Sequence, residues 1–246
     1  MTLRKTLEEE GNWLFQRRSY LPVFLMGIML IGLNQFEYAG HSHFMDQFWE
    51  LFCMFVAFFG LGIRAFTIGQ TPKNTSGRNT SRQIADTLNT TGMYSIVRHP
   101  LYVGNFFCWL GISLFTRLWW VSFITILVFW LYYERIIFAE EEYLRRKFGE
   151  QYEQWANHVP AFIPKFSYWI PAALPFSFRN VLKREYSGLF AIIISFVVLE
   201  MFGDLAAEGR IRLDPMWMAI FSTGFLFYSI LRIFRKKTRL LHANGR

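Results

Sequence analysis

The 246-residue chain is 53% hydrophobic and 20% aromatic, with a mean hydropathy of +0.21, which is more apolar side chain than a water-soluble domain of this size buries. Its formal net charge of +8 does not point to nucleic acid, because the cations fall between apolar runs rather than on a polar module with a basic patch. The two cysteines, Cys53 and Cys108, both sit inside apolar runs, against a disulfide framework of the secreted kind, and the charged opening MTLRKTLEEEGNW predicts no cleaved signal.

In chain order the apolar runs fall at 19–36, 44–63, 101–115, 118–138, 186–203 and 215–233. A helix needs about 20 apolar residues to cross a bilayer core, so the expected fold is all-α, a multi-pass transmembrane bundle of about six membrane helices forming one integral membrane domain over 1–246. The third run is short. Only Thr116 and Arg117 separate it from the fourth, which predicts a tight helical hairpin. Pro215 opens the last run at a position that suits a first helical turn. The glycines of "GLG" at 60–62 lie in an apolar helix with no strand before them, so they read as helix packing rather than a nucleotide loop.

If all six runs cross, 23 of the 26 Lys and Arg fall on one side, and only Arg117, Arg210 and Arg212 on the other. This asymmetry predicts a multi-pass membrane protein with both termini in the cytoplasm. The triplets NTS at 74, NTS at 79 and NTT at 89 then face the cytoplasm and read as turn-forming sequence rather than glycosylation acceptors. A short helix is expected near 81–88. The fourth run is expected to continue without a breaker to Pro160, with Leu144, Phe148, Tyr152, Trp155 and Val159 making one apolar stripe on a charged helix that lies along the membrane surface.

Two polar clusters flank the predicted hairpin. Arg98 and His99 precede its first arm, and Glu140, Glu141 and Glu142 follow its second, so both belong to its open end and are expected to meet. Such a pocket suits a zwitterionic small molecule with an aromatic part. Each residue also has a plain reading. An arginine beside a membrane helix snorkels to the interface, and Glu141 with Arg145, or Glu142 with Arg146, forms an ordinary pair at a spacing of four. Glu140 has no such partner, since position 144 is Leu. His41, His43, His158 and His242 have no ligand spacing, and no metal site is expected. Glu134 and Arg135 end the fourth run, where interfacial anchoring competes with a role at the acceptor.

The stretch TTGMYSIVRHPLYVGNFF, followed about forty residues later by EEEYLRRKFGEQYEQWANHVPAFIP, resembles the signature of the isoprenylcysteine carboxyl methyltransferase and phospholipid methyltransferase superfamily. The matching positions are Gly92, Tyr94, Arg98, His99, Pro100, Tyr102, Gly104, Glu140, Glu141, Leu144, Phe148, Gly149, Tyr152, Pro160 and Pro164. The resemblance covers about 60–165 and leaves out 166–246, a linker with two further membrane helices.

What the resemblance implies is S-adenosylmethionine as methyl donor, held by Tyr94, Arg98, His99, Pro100, Tyr102, Gly104, Glu140 and Glu141, with a lipid or lipid-modified acceptor entering from the membrane. Arg98 and His99 suit the donor's carboxylate, the glutamates its ammonium and ribose hydroxyls, and tyrosine faces its sulfonium. Gly104 would let a ligand approach the helix. Glu134 and Arg135 are the catalytic candidates, as a base for an amine acceptor and a cation for an anionic one, with Arg64 or a residue of the basic LKRE near Lys183 as other cations for that role. The polar loop is most similar to a bacterial branch acting on lipid phosphates, including that of lipid A, which implies a place in the bacterial inner membrane. Prenylcysteine carboxylate and phosphatidylethanolamine are the other acceptors the superfamily implies. Rival readings are an NADPH-dependent sterol-type membrane reductase and a non-catalytic scaffold.

Overall fold

The computed structural model describes residues 2–36, 43–73, 75, 83–211, 214–238 and 240–241, and the regular structure among them is entirely helical. The helices are α1 (Leu3–Gln16), α2 (Leu21–Gly32), α3 (His43–Gly69), α4 (Met93–Ile96), α5 (Pro100–Leu114), α6 (Trp119–Phe148), α7 (Glu150–His158), α8 (Phe178–Glu208) and α9 (Pro215–Lys237). Four carry stretches long and apolar enough to cross a membrane: Gln47–Gly69 of α3, and α6, α8 and α9. α5 is short, as its run length predicts. The first run is shorter than expected, because the chain turns after α1, restarts with Pro22 in the first turn of α2, and tightens into a single 3-10 turn at Leu33–Gln35.

Small residues set how closely the helices approach. A Cβ added to Gly60 would lie 2.4 Å from the Gly104 carbonyl oxygen, and one added to Gly111 would lie 2.5 Å from the Ala57 nitrogen, so α3 and α5 touch backbone to backbone. Around this contact a core of Leu25, Met29, Ile112, Phe115, Phe129 and Phe196 joins α2, α5, α6 and α8. Phe115 meets Phe196 edge-on at 5.1 Å and Trp217 of α9 at 5.6 Å. α9 starts where Asp214 accepts from the Met216 amide at 2.7 Å ahead of Pro215.

Three departures from the expected elements have local causes. α6 does not run to Pro160: Gly149 takes φ +53°, which ends α6 and starts α7 at an angle to it. Ser81 and Arg82 of the expected helix near 81–88 lie outside the described residues, as do Asn74 and Ser76 of the first triplet, the whole triplet starting at 79, His41 and His242. The rest of that stretch, 83–88, is not helical. It is too short to sustain a helix alone, and Ile84, Ala85, Thr87 and Leu88 turn into a cavity wall instead.

The third departure is α1, which the charged opening concealed. It packs antiparallel on the second half of α6 through Arg4 to Glu142, Glu8 to Arg146 and Glu10 to Arg135, and Tyr132 donates to the Leu14 carbonyl at 2.9 Å. Gly11 makes this possible, since a Cβ there would sit 2.1 Å from the Arg135 carbonyl oxygen.

Candidate functional site

The antiparallel helices bring the second half of α6, the first turns of α5 and α8, and the last turns of α3 and α9 to one end of the bundle. There they enclose a cavity of about 620 Å³, within the roughly 300–1,000 Å³ typical of small-molecule and cofactor sites.

One wall is the open end of the α5–α6 hairpin. His99 caps α5, and its position is fixed by Pro100, which starts that helix. The His99 ring, 6% exposed, has Nε2 2.9 Å from Glu141 Oε1 and Nδ1 3.8 Å from Glu140 Oε2. With a carboxylate as the acceptor, Nε2 is the protonated nitrogen. Arg98 Nε lies 3.2 Å from the same Glu141 oxygen, its Nη1 donates to the Ala156 carbonyl at 3.2 Å, and its amide donates to the Pro160 carbonyl at 2.9 Å. Tyr102 donates to Glu140 Oε2 at 2.8 Å, and its ring stacks on His99 at 5.6 Å. Both Glu140 contacts use Oε2, so the second carboxylate oxygen keeps its lone pairs for a ligand.

α7 props this wall from behind. Trp155 Nε1 donates to the Tyr94 carbonyl at 3.1 Å, and the buried Tyr152 lies close to Glu141. Burial, with the Glu141 charge beside it, pushes the Tyr152 phenol well above its ordinary pKa, so it keeps its proton at neutral pH.

The opposite wall is built by helices that the sequence motifs do not include. Arg64 of α3 donates from Nε and Nη2 to the Glu185 carboxylate of α8 at 2.9 and 2.8 Å, a bidentate pair, and from Nη1 to Asn105 Oδ1 at 2.6 Å. Asn105 passes the chain on, donating to the Tyr133 hydroxyl at 2.9 Å, and the Tyr133 ring lies 4.8 Å from that of Tyr102. Asn180 ties α8 to α3 by donating to the Ile68 carbonyl at 2.7 Å. Arg18, Lys73, Lys183, Arg184 and Arg235 also line this side, so its cations outnumber the already paired Glu185.

The cavity thus gathers Tyr94, Arg98, His99, Pro100, Tyr102 and Glu140 from the sequence-derived set. Glu141 stands behind His99 and Arg98 and orients both. Gly104 faces α3, where an added Cβ would lie 2.5 Å from Arg64 Cγ, so it is a helix contact in the structure. Arg135 is on the α1 side of α6, where its Nε pairs with Glu10 at 2.9 Å, Glu134 is exposed beside it, and neither residue is part of the lining. Glu142, expected to pair with Arg146, instead takes Arg4 and Arg145. Sequence reasoning missed Asn105, Tyr133 and the Arg64–Glu185 pairing. The available signal was a single amide inside the third apolar run and a glutamate flanked by cations ahead of the fifth.

Comparison with known proteins gives a consistent set of relatives. Residues 48–151 match the phospholipid methyltransferase family. The cobalt-zinc-cadmium resistance protein CzcN of Cupriavidus metallidurans is 33% identical over 156 residues, covering 60% of this chain and 69% of that protein. The nickel-cobalt-cadmium resistance protein NccN of Alcaligenes xylosoxydans xylosoxydans is 32% identical over 145 residues, 58% of this chain and 62% of its own length. The protein-S-isoprenylcysteine O-methyltransferase of Schizosaccharomyces pombe is 40% identical over 77 residues, 31% of this chain and 33% of that enzyme. The match therefore spans less than two thirds of NccN and a third of the yeast methyltransferase. No solved structure matches the chain.

Proposed function

Because the chain belongs to the isoprenylcysteine carboxyl methyltransferase and phospholipid methyltransferase superfamily, we propose that it transfers a methyl group from S-adenosylmethionine to a membrane lipid or lipid-linked acceptor, with the 620 Å³ cavity as its site. The observation that carries this reading is the convergence of Arg98, His99, Tyr102 and Glu140 on one cavity ringed by Tyr94, Tyr133 and Trp155. The metal-resistance names of two relatives specify no reaction, so the pocket's chemistry is the basis of the proposal.

The lining fits the donor group by group. Arg98 and His99 offer cationic or N–H partners for a carboxylate. The Glu140 oxygen left over by Tyr102 and His99 accepts from an ammonium or a ribose hydroxyl. Tyrosine faces stabilise a sulfonium by roughly 0.5 to 2 kcal/mol each. When bound, the donor supplies a methyl group activated by a positive sulfur, which a nucleophile takes by in-line displacement. The chain's own part is to hold both partners in register and keep water out. Glu141 does this indirectly, fixing the ring of His99 and the guanidinium of Arg98.

For the acceptor, the wall of Arg18, Lys73, Lys183, Arg184 and Arg235 favours an anion, and a lipid phosphate such as that of lipid A is the reading we adopt. A phosphate is already ionised at neutral pH and needs positioning rather than a base. Glu134 and Arg135, outside the cavity lining, carry no step of this proposal. The cation asymmetry of the sequence supports a site and termini on the cytoplasmic side of the membrane. Mass spectrometry of lipids from cells with and without the protein tests the reading. A lipid species that gains a methyl only when wild-type protein is present supports it, and unchanged lipid and protein fractions overturn it.

A further inference from the structure

The 19 residues from Val159 to Ser177, VPAFIPKFSYWIPAALPFS, connect α7 to α8, which opens with Phe178, and contain one 3-10 turn at Phe166–Tyr168. A connection running through water is normally polar. This one has Ile163 80% exposed, Phe166 74% and Ile170 53%, with Phe178 just after it 75% exposed. The exposed rings do not stand singly. Trp169 and Phe176 each stack on Phe66 of α3 at 6.2 Å, and Phe176 meets Phe178 edge-on at 4.9 Å. One aromatic row therefore runs from the last turns of α3 to the start of α8, continuous with the apolar surface of two membrane-crossing helices.

The same segment is polar on its other side. The Ile170 amide donates to Ser95 Oγ at 2.9 Å, and the Ile170 carbonyl accepts from the Gly92 amide at 2.9 Å. The Lys165 amide donates to the Ile96 carbonyl at 2.9 Å, and the Ala173 amide to Thr91 Oγ1 at 3.2 Å. The strap thus uses its backbone to grip the stretch that carries Tyr94 into the cavity, while its apolar side chains point elsewhere.

Its depth follows from helix geometry. The Ser177 amide donates to the Gly69 carbonyl at 2.8 Å, so the strap ends level with the end of α3. Gly69 is also the last residue of the α3 stretch long and apolar enough to cross a membrane, so the strap ends at the edge of the bilayer core. A headgroup layer on one side of a bilayer is roughly 5 to 8 Å thick. Lys165, whose ammonium lies 4.0 Å from the Tyr168 ring centre, and Arg179 provide cations beside the apolar row, the combination that interfacial segments present to anionic lipid.

We infer that residues 163–178 form a membrane-interface strap, seated in the lipid headgroup layer on the cavity side of the bundle, so that one segment links lipid contact to the Tyr94 wall of the cavity. The inference is independent of the reaction proposed above. It is tested by spin labelling Ile163→Cys, Phe166→Cys and, separately, Phe178→Cys in a Cys53→Ala, Cys108→Ser background. The full chain is placed in vesicles of phosphatidylethanolamine and phosphatidylglycerol, with Gln154→Cys on α7 as the water reference and Leu226→Cys on α9 as the bilayer reference. Collision with a nickel chelate at least threefold below the Gln154 label, together with raised collision with oxygen, supports the strap. Nickel accessibility equal to that at Gln154 overturns it. Low access to both probes overturns it too, since the row would then be covered by protein, such as a second copy of the chain. The three label sites are independent, and each is well exposed, so a failure to fold at one leaves the others as the test.

Discussion

The cavity has two walls of different origin. The wall from the α5–α6 hairpin is a compact constellation: Arg98, His99, Tyr102, Glu140 and Glu141 lie within 44 residues of one another and are joined by ion pairs and hydrogen bonds. The facing wall draws residues from α3, α8, α9 and the α1–α2 turn, and its bidentate pair, Arg64 with Glu185, joins positions 121 apart. The first wall is set by local sequence and a shared hairpin. The second exists only once the whole bundle has assembled, so damage to it is expected to appear as lost fold, and damage to the hairpin wall as lost binding.

The largest expected effect tests that division. Arg64→Ala or Glu185→Ala leaves one buried charge without its partner, at about 3–5 kcal/mol, and we expect a strong drop in folded yield and thermal midpoint for either. Arg64→Gln combined with Glu185→Gln should recover much of the loss, because no orphaned charge remains. A double variant no better than the singles would mean that packing of α3 on α8, not charge matching, governs this wall.

Next in size is Gly111→Leu. Its side chain must displace α3 at Ala57, and we expect at least 1–3 kcal/mol of destabilisation in denaturant unfolding, whereas Gly62→Leu, with nothing near it, should unfold like wild type. In the hairpin wall, Glu141→Ala removes the acceptor that orients both His99 and Arg98. A charge-assisted hydrogen bond contributes about 1.5–3 kcal/mol, so donor affinity should fall roughly 10- to 150-fold with the protein still monodisperse. Smallest is Arg135→Ala. Its pair with Glu10 is partly exposed, with side chains 31% and 49% accessible, so the expected cost is at most about 1 kcal/mol, with donor affinity unchanged.

The same contrast explains what was legible in the sequence. The six apolar runs, the short third run and the meeting of the Arg98–His99 and Glu140–Glu141 clusters follow from hydropathy and from one short connection, and all are present in the structure. α1 was hidden because its buried face is held by Gly11 and Phe15 and by ion pairs, so it shows no apolar run. The break at Gly149 was missed because a positive φ leaves no trace in hydropathy. Asn105, Tyr133 and Glu185 acquire meaning only through partners on other helices, and no spacing rule within one segment reaches that far. Gly104 was read for ligand approach, while its missing side chain accommodates Arg64 and Gly60 of α3.

The central claim is that Arg98, His99 and Glu140 line the donor's binding site. Isothermal titration of S-adenosylmethionine into the full chain in lipid nanodiscs, beside Glu140→Ala and His99→Ala proteins with the same elution profile, measures it directly. The account predicts saturable binding to wild type and at least tenfold weaker binding to each variant. Equal affinity in all three proteins, or none in wild type, would contradict it.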